Sequence, residues 1–330
     1  MLSLLTQLVL PMLVGLAVFL FGMKIMEFAL FKWTGPYLQR AIRRLTRTPL
    51  HGLLVGTGAT ALTQSSSAVT VLTIGFVNAG VLTFPNTLGI ILGTNIGSCL
   101  TTELIGMRMN GNMLPVLLIG SGAWLATWLP LPAKWLAHFN SARLLSILRC
   151  LSLASAGFSC ILIGIEIMQT IVDYLQAHGL LTWFIEHAQR SMLWGILAGA
   201  ALTAVIHSSA ASIAMTMGLA SLGVIPVDLG IAIVLGCNIG TCATAMVASI
   251  GGSRFGQYVA WSHLVLNVGG AALFYPFVEQ LHSLSAWLTA NEAGQIAHAQ
   301  TIFNVISSLI ALPFCYLPVF RRDKQTALQD

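Results

Sequence analysis

ALTQSSSAVT, residues 61–70, sets a glutamine and three serines between threonines in a chain that is otherwise strongly apolar. A hydroxyl taken into hydrocarbon without a partner costs about 2–7 kcal/mol. The stretch therefore needs a use for its polar groups. Hydrophobic residues make up 56% of the 330 residues and charged residues 8%, where a soluble domain carries about 25% charge. That composition places the whole chain in a membrane, with no soluble domain left over. The first apolar stretch is too long for a cleaved signal peptide and no basic segment precedes it. The net charge of +5 comes from clustered residues, which bears on membrane topology and not on nucleic acid. Cys99, Cys150, Cys160, Cys237, Cys242 and Cys315 all fall in apolar segments. Their spacing suits neither a disulfide framework nor a zinc site, and they read as small packing residues.

Long apolar runs at 4–31, 85–107, 113–131, 144–172, 229–251, 257–278 and 296–320 each supply the ~20 residues of a spanning helix. Two more, 51–81 and 193–224, are interrupted by TQSSSA and IHSSAA. Their halves are too short to cross alone, so each reads as a re-entrant helical hairpin. Residues 54–103 align without a gap on 197–246, with 19 identities in 50 positions. Gly56/Gly199, Ser65/Ser208, Ser66/Ser209, Gly93/Gly236, Asn95/Asn238, Gly97/Gly240 and Thr101/Thr244 are among them. Upstream, FGMKIM (21–26) matches IGIEIM (163–168) at nearly the same offset. The expected fold is an all-α polytopic membrane protein, a single transport domain over 1–330. Repeat one covers about 4–131, repeat two about 144–278, and an extra helix about 296–320.

Three spans per repeat require the second repeat to run inverted. With 32–50 on the cytoplasmic side, Lys32, Arg40, Arg43, Arg44, Arg47, Lys134, Arg143, Arg149, Arg254, Arg321, Arg322 and Lys324 lie inside. Only Arg108 and Arg190 lie outside. That asymmetry follows the positive-inside rule and gives a multi-pass plasma-membrane protein, N-terminus out and C-terminus in. The stretch 41–52 is a positive-inside loop or an interfacial helix on anionic lipid. Trp33, Trp135, Trp183 and Trp261 read as interfacial anchors.

Two opposed hairpins would carry their serines to the membrane midplane, where inverted-repeat transporters hold their substrate. A half-helix begins at each turn, with free amides, a capping serine and a preference for anions. GTNIGSC (93–99) and GCNIGTC (236–242) read as breaks in the following span, where glycines would let the chain unwind and expose carbonyls to a small cation. Asn95, Ser98, Thr101, Asn238, Thr241 and Thr244 add hard oxygens suited to sodium. Neither hairpin contains Arg or Lys. Helix dipoles offer about half a charge each, so a divalent anion entering this site must bring cations.

These segments resemble the paired signature of the type II sodium/phosphate cotransporter family, a QSSS in each of two inverted repeats followed by Gly-x-Asn-Ile-Gly-Thr. The resemblance covers about 15–315 and includes His263, Asn267, His298 and Asn304. It implies alternating-access symport of inorganic phosphate with Na+ as the coupling ion, no organic cofactor and no catalysis. By position, Ser65, Ser66, Ser67, Ser208 and Ser209 would hold phosphate. Gln64 and His207, with the Asn, Ser and Thr residues above, would form or support the sodium sites. His207, Ala210 and Cys237 depart from the signature, and the PhoU-like domain of many bacterial relatives is not expected here. Another oxyanion as cargo, or net phosphate export, fits the same residues. Membrane lipid surrounds the chain, no nucleic acid is expected, and a homodimer through the outer spans suits the architecture.

His207 is either a pH-sensing group or, the preferred reading, a neutral donor in place of glutamine. Lys24 and Glu166 occupy matching repeat positions, as a functional pair or as snorkelling side chains, with Glu27 one turn from Lys24. Glu103 borders a cation path or has a local polar partner. Asp228 and Pro226 are expected to cap and turn the start of the second glycine-rich span.

Overall fold

The computed structural model describes residues 5–108, 113–128, 141–179, 182, 185–188 and 191–317. Lys134, Trp135, Trp183, Arg190, Arg321, Arg322 and Lys324, and the side chains of Arg108 and Arg143, lie outside the described residues. A π-helical turn, Leu5–Val9, leads into α1, Leu10–Leu45. The first hairpin is α2, Pro49–Thr63, and α3, Ser66–Asn78, followed by α4, Phe84–Arg108. Then come α5, Leu114–Ala126, α6, Ser141–Gln169, and the short α7, Val172–Ala177. The second hairpin is α8, Leu193–Ile206, and α9, Ser209–Ser221, followed by α10, Val227–Ser249. The chain ends with α11, Arg254–Phe274, α12, Val278–Leu288, and α13, Glu292–Ala311. No strand occurs among the described residues.

Six helical stretches among the described residues are long and apolar enough to cross a bilayer, and the chain is a multi-pass membrane protein. Seven were expected. The run at 113–131 yields only the 13 described helical residues of α5, about 20 Å at 1.5 Å per residue. The loop expected at 32–50 is instead helix as far as Leu45, with Pro36 inside it.

The described chain divides into two packing bodies. One holds residues 1–37, 62–64 and 108–178. In it α1 and α6 cross antiparallel with almost no space between backbones. A Cβ on Gly22 would lie 2.5 Å from the Gly157 carbonyl oxygen, and one on Gly157 2.6 Å from that of Gly22. Gly15 and Gly164 make the second such pair. Gly15 and Gly22 are separated from Gly157 and Gly164 by the same 142 residues, so the crossing is self-complementary, as a two-fold contact is. Small residues at such crossings let apolar helices gain dispersion contact.

The other body holds residues 38–61, 65–107 and 179–330. In it each hairpin's first arm lies against the long helix that follows. A Cβ on Gly93 would lie 2.2 Å from the Leu53 carbonyl oxygen; one on Gly236 would lie 1.9 Å from that of Ile196. Both pairs are related by the offset of 143 residues. This overturns the broken spans expected at GTNIGSC and GCNIGTC, since α4 and α10 are continuous. The glycines serve close helix approach and not unwinding. The arm α3 packs on α10 and α11, while α9 packs on α10 and α13. Asn78 at the end of α3 accepts from the Ser253 amide at 3.1 Å and the Ser253 hydroxyl at 2.7 Å. The six cysteines are free, and five are buried.

Candidate functional site

The two hairpin turns have nearly the same backbone. The helix of the first arm ends and Gln64 takes a left-handed conformation, φ 56°. Ser65 is extended, φ −143° and ψ 97°, and its Oγ accepts from the Ala68 amide. In the second turn His207 has φ 56° and ψ 27°, and its amide donates to the Thr203 carbonyl at 2.8 Å. Ser208 is extended, φ −147° and ψ 106°, and its Oγ accepts from Ala211 at 3.2 Å. Gln64 and His207 are the only non-glycine residues with positive φ among those described. Such a conformation costs a non-glycine residue about 1–3 kcal/mol and persists where the surroundings over-determine it.

The turn joins a helix C-terminus to a helix N-terminus. The N-terminal side offers first-turn amides without intrahelical acceptors, beside the hydroxyls of Ser66 and Ser67 or of Ser209. The C-terminal side offers carbonyls without intrahelical donors. The macrodipoles favour an anion at the first and a cation at the second. Ser65 and Ser208 each use one oxygen lone pair in the cap.

Where the spans were expected to unwind, the polar side chains serve their own helices. Ser98 Oγ donates to the Asn95 carbonyl at 2.8 Å, and Thr241 Oγ1 to the Cys237 carbonyl at 2.9 Å. Asn238 is buried and donates to the Val234 carbonyl at 3.0 Å. Thr101 is buried, and Thr244 is half-buried. The expected unwound carbonyls are therefore absent from 93–99 and 236–242. A cation near either helix would meet side-chain oxygens there.

One model, described as Na+/Pi-cotransporter, matches the chain twice, over residues 18–170 and 160–290. The chain belongs to the Na+/Pi-cotransporter family. It is 36% identical over 299 residues to the uncharacterized protein YqeW of Bacillus subtilis, covering 91% of this chain and 92% of that one. It is 26% identical over 306 residues to YjbB of Escherichia coli, provisionally named an inorganic phosphate export protein. That match covers 92% of this chain and 53% of YjbB, so the chain spans about half the length of that relative. Human sodium-dependent phosphate transport protein 2B is 31% identical over 98 residues, 28% of this chain and 14% of its own. No solved structure matches.

In this cotransporter-family chain a polar network surrounds the two long helices. Asn95 donates through Nδ2 to Asn267 Oδ1 at 3.2 Å, while Cys242 Sγ bonds the Asn238 carbonyl of its own helix at 3.7 Å. Asn304 donates to Cys99 Sγ at 3.5 Å. Cys99 and Cys242 are themselves 143 residues apart, but among the described residues only Cys99 has an asparagine side chain bonded to it. Each asparagine also bonds the carbonyl four residues back, of His263 at 2.8 Å and Gln300 at 3.1 Å. The sequence reading left Asn267 and Gln300 out of the site. The available signal was the shared spacing His263–Asn267 and Gln300–Asn304, one helical turn each.

Buried polar atoms without a hydrogen-bond partner concentrate in this body. They include both ring nitrogens of His263, Asn304 Oδ1, and the hydroxyls of Thr57, Thr60, Thr70 and Thr203. Each costs about 1–3 kcal/mol if left unmet. Glu103 has local partners, His298 Nδ1 at 3.1 Å and the Thr301 hydroxyl at 2.6 Å. Asp228 does not cap α10. It lies 2.9 Å from His282 Nδ1, while Pro226 stands at the cap position. Lys24 pairs with Glu27 at 2.8 Å and is exposed, as is Glu166.

Proposed function

We propose that the chain carries inorganic phosphate together with sodium across the plasma membrane by alternating access, using the two hairpin turns as the substrate cradle. The observation that carries this reading is the paired turn. Each has a left-handed glutamine or histidine, then an extended capping serine, and the two are 143 residues apart. The arms are 13–15 residues long, about 20 Å, short of the ~30 Å hydrocarbon core. That shortfall supports a re-entrant placement of both hairpins, and a family model matching twice in tandem supports two repeats. In this reading Ser65, Ser66, Ser67, Ser208 and Ser209 bind phosphate. Gln64, His207, Asn95, Ser98, Thr101, Asn238, Thr241 and Thr244 lie on the sodium side. Asn267 joins them as the partner of Asn95.

No arginine or lysine occurs in either hairpin, so the anion's charge is balanced by cations that move with it. Their ligands are hard oxygens, which suit sodium. The test is labelled-phosphate uptake by proteoliposomes holding the purified protein, with sodium or with choline outside. Uptake that requires the sodium gradient is expected. Equal uptake in choline would overturn the coupling. The name of YjbB favours a second reading, net export. Reversing the sodium gradient in the same vesicles separates the directions that the carrier supports.

Gln64 and His207 occupy the same left-handed position, so His207→Gln is expected to retain phosphate flux to within about twofold. Abolished flux in a folded His207→Gln protein would show that the imidazole does something a side-chain amide cannot.

A further inference from the structure

We infer that the body containing α1, α5 and α6 holds a binding site for the headgroup of an anionic phospholipid, separate from the hairpin turns. A cavity of about 340 Å³ opens there, with Phe28 and Lys32 on α1, Trp124 and Trp128 at the end of α5, and Arg149 and Leu153 on α6. Two cations face one pocket, and neither pairs with a carboxylate among the described residues.

The arginine is held in place by the pocket wall. Its Nη2 donates to the Thr127 carbonyl at 2.7 Å and its Nε to the Thr127 hydroxyl at 3.2 Å. The guanidinium carbon lies 4.2 Å from the centre of the Trp128 ring. Those two bonds leave three of the five guanidinium donors for a guest. Lys32 is exposed, with Nζ 5.9 Å from the centre of the Phe28 ring. A positively charged floor with aromatic and aliphatic walls fits a molecule that is anionic at one end and apolar along its length. A phosphate ion alone meets only the first requirement.

The depth agrees. The crossing of α1 and α6 centres between Gly15 and Gly22 on one helix and between Gly157 and Gly164 on the other. From that centre Lys32 lies about 20 Å along α1, and Arg149 about 17 Å along α6 in the same direction, at 1.5 Å per residue. With the crossing at the bilayer centre, both cations reach just past the ~15 Å half-thickness of the hydrocarbon. Phospholipid phosphates lie at that level, and tryptophans favour it. Basic pockets between spanning helices bind anionic headgroups.

The test uses the full chain in phosphatidylcholine vesicles carrying a fixed fraction of brominated lipid, with tryptophan quenching as the readout. Brominated phosphatidylglycerol is expected to quench more than brominated phosphatidylcholine. The excess should disappear when Trp124→Phe and Trp128→Phe are combined. Lys32→Gln should weaken the preference about fivefold, and Lys32→Gln with Arg149→Gln should remove it. Lys32 is exposed, so its variant reports binding even if the loss of Arg149 disturbs packing around Thr127. Equal quenching by the two lipids, or an excess unchanged in Lys32→Gln, would overturn the site. Displacement by free inorganic phosphate would assign the pocket to a soluble anion and end the lipid reading. None of these readouts depends on transport.

Discussion

Ser66→Ala combined with Ser209→Ala is expected to lower phosphate transport by about 100-fold or more, with the protein still folded. Both serines begin the second arm of a hairpin, directly after the capping serine. The caps are made by Ser65 and Ser208, so the double variant keeps both turns closed. A hydrogen bond to a charged group is worth about 1.5–3 kcal/mol, and two of them lost from an anion correspond to about two to four powers of ten. Initial rates of labelled-phosphate uptake measure the effect, and an unchanged melting temperature shows that the fold survives. Ser65→Ala differs in kind, because it removes a cap and costs about 1 kcal/mol of stability. Undiminished uptake by the Ser66/Ser209 double variant would remove the hairpin turns from the phosphate path.

Gly236→Val is expected to abolish the folded protein. A Cβ at this position would lie 1.9 Å from the Ile196 carbonyl oxygen and 2.9 Å from the Ala200 amide nitrogen. These are backbone atoms of a packed helix and cannot rotate away. The first arm of the second hairpin would have to leave α10 by more than an ångström, which takes its contacts with it. Overpacking that moves backbone costs about 1–3 kcal/mol and sometimes more. With the added β-branched bulk, loss of the monodisperse peak in detergent size-exclusion chromatography is the expected result. Gly58→Ala is the control. Gly58 is also helical, yet a Cβ there meets no heavy atom within 4 Å. That substitution should be neutral or stabilising by about 0.5–1 kcal/mol, the usual helical gain of alanine over glycine. A well-folded Gly236→Val protein would mean that the helices do not approach as closely as their glycines allow.

Much of the candidate site was legible from residue types. Serine at a helix start is a signal that depends on only a few neighbours in sequence, whereas the left-handed conformation of Gln64 and His207 came only with the structure. Repetition at a fixed offset then separated TQSSSA and IHSSAA from ordinary small-residue packing. The reading of GTNIGSC and GCNIGTC failed for a physical reason. Glycine permits unwinding and it permits close approach. Which of the two a glycine serves depends on whether another backbone lies against it. Ser98 and Thr241 followed the same ambiguity, since each found its acceptor in an intact helical carbonyl. Asn267 was named only through the family resemblance, because its partner Asn95 is brought to it only by packing.

By itself the sequence determined an all-helical membrane chain, the 143-residue repetition, the two short-armed hairpins and the serines that start their second arms. All of these follow from composition, span length and neighbours within about a turn. Tertiary structure alone decided that α4 and α10 stay whole, that Asn267 meets Asn95 and Asn304 meets Cys99, and that Lys32 and Arg149 share one pocket. Each of those depends on distances between segments far apart in the chain, and residue identity does not encode such distances until the helices have packed.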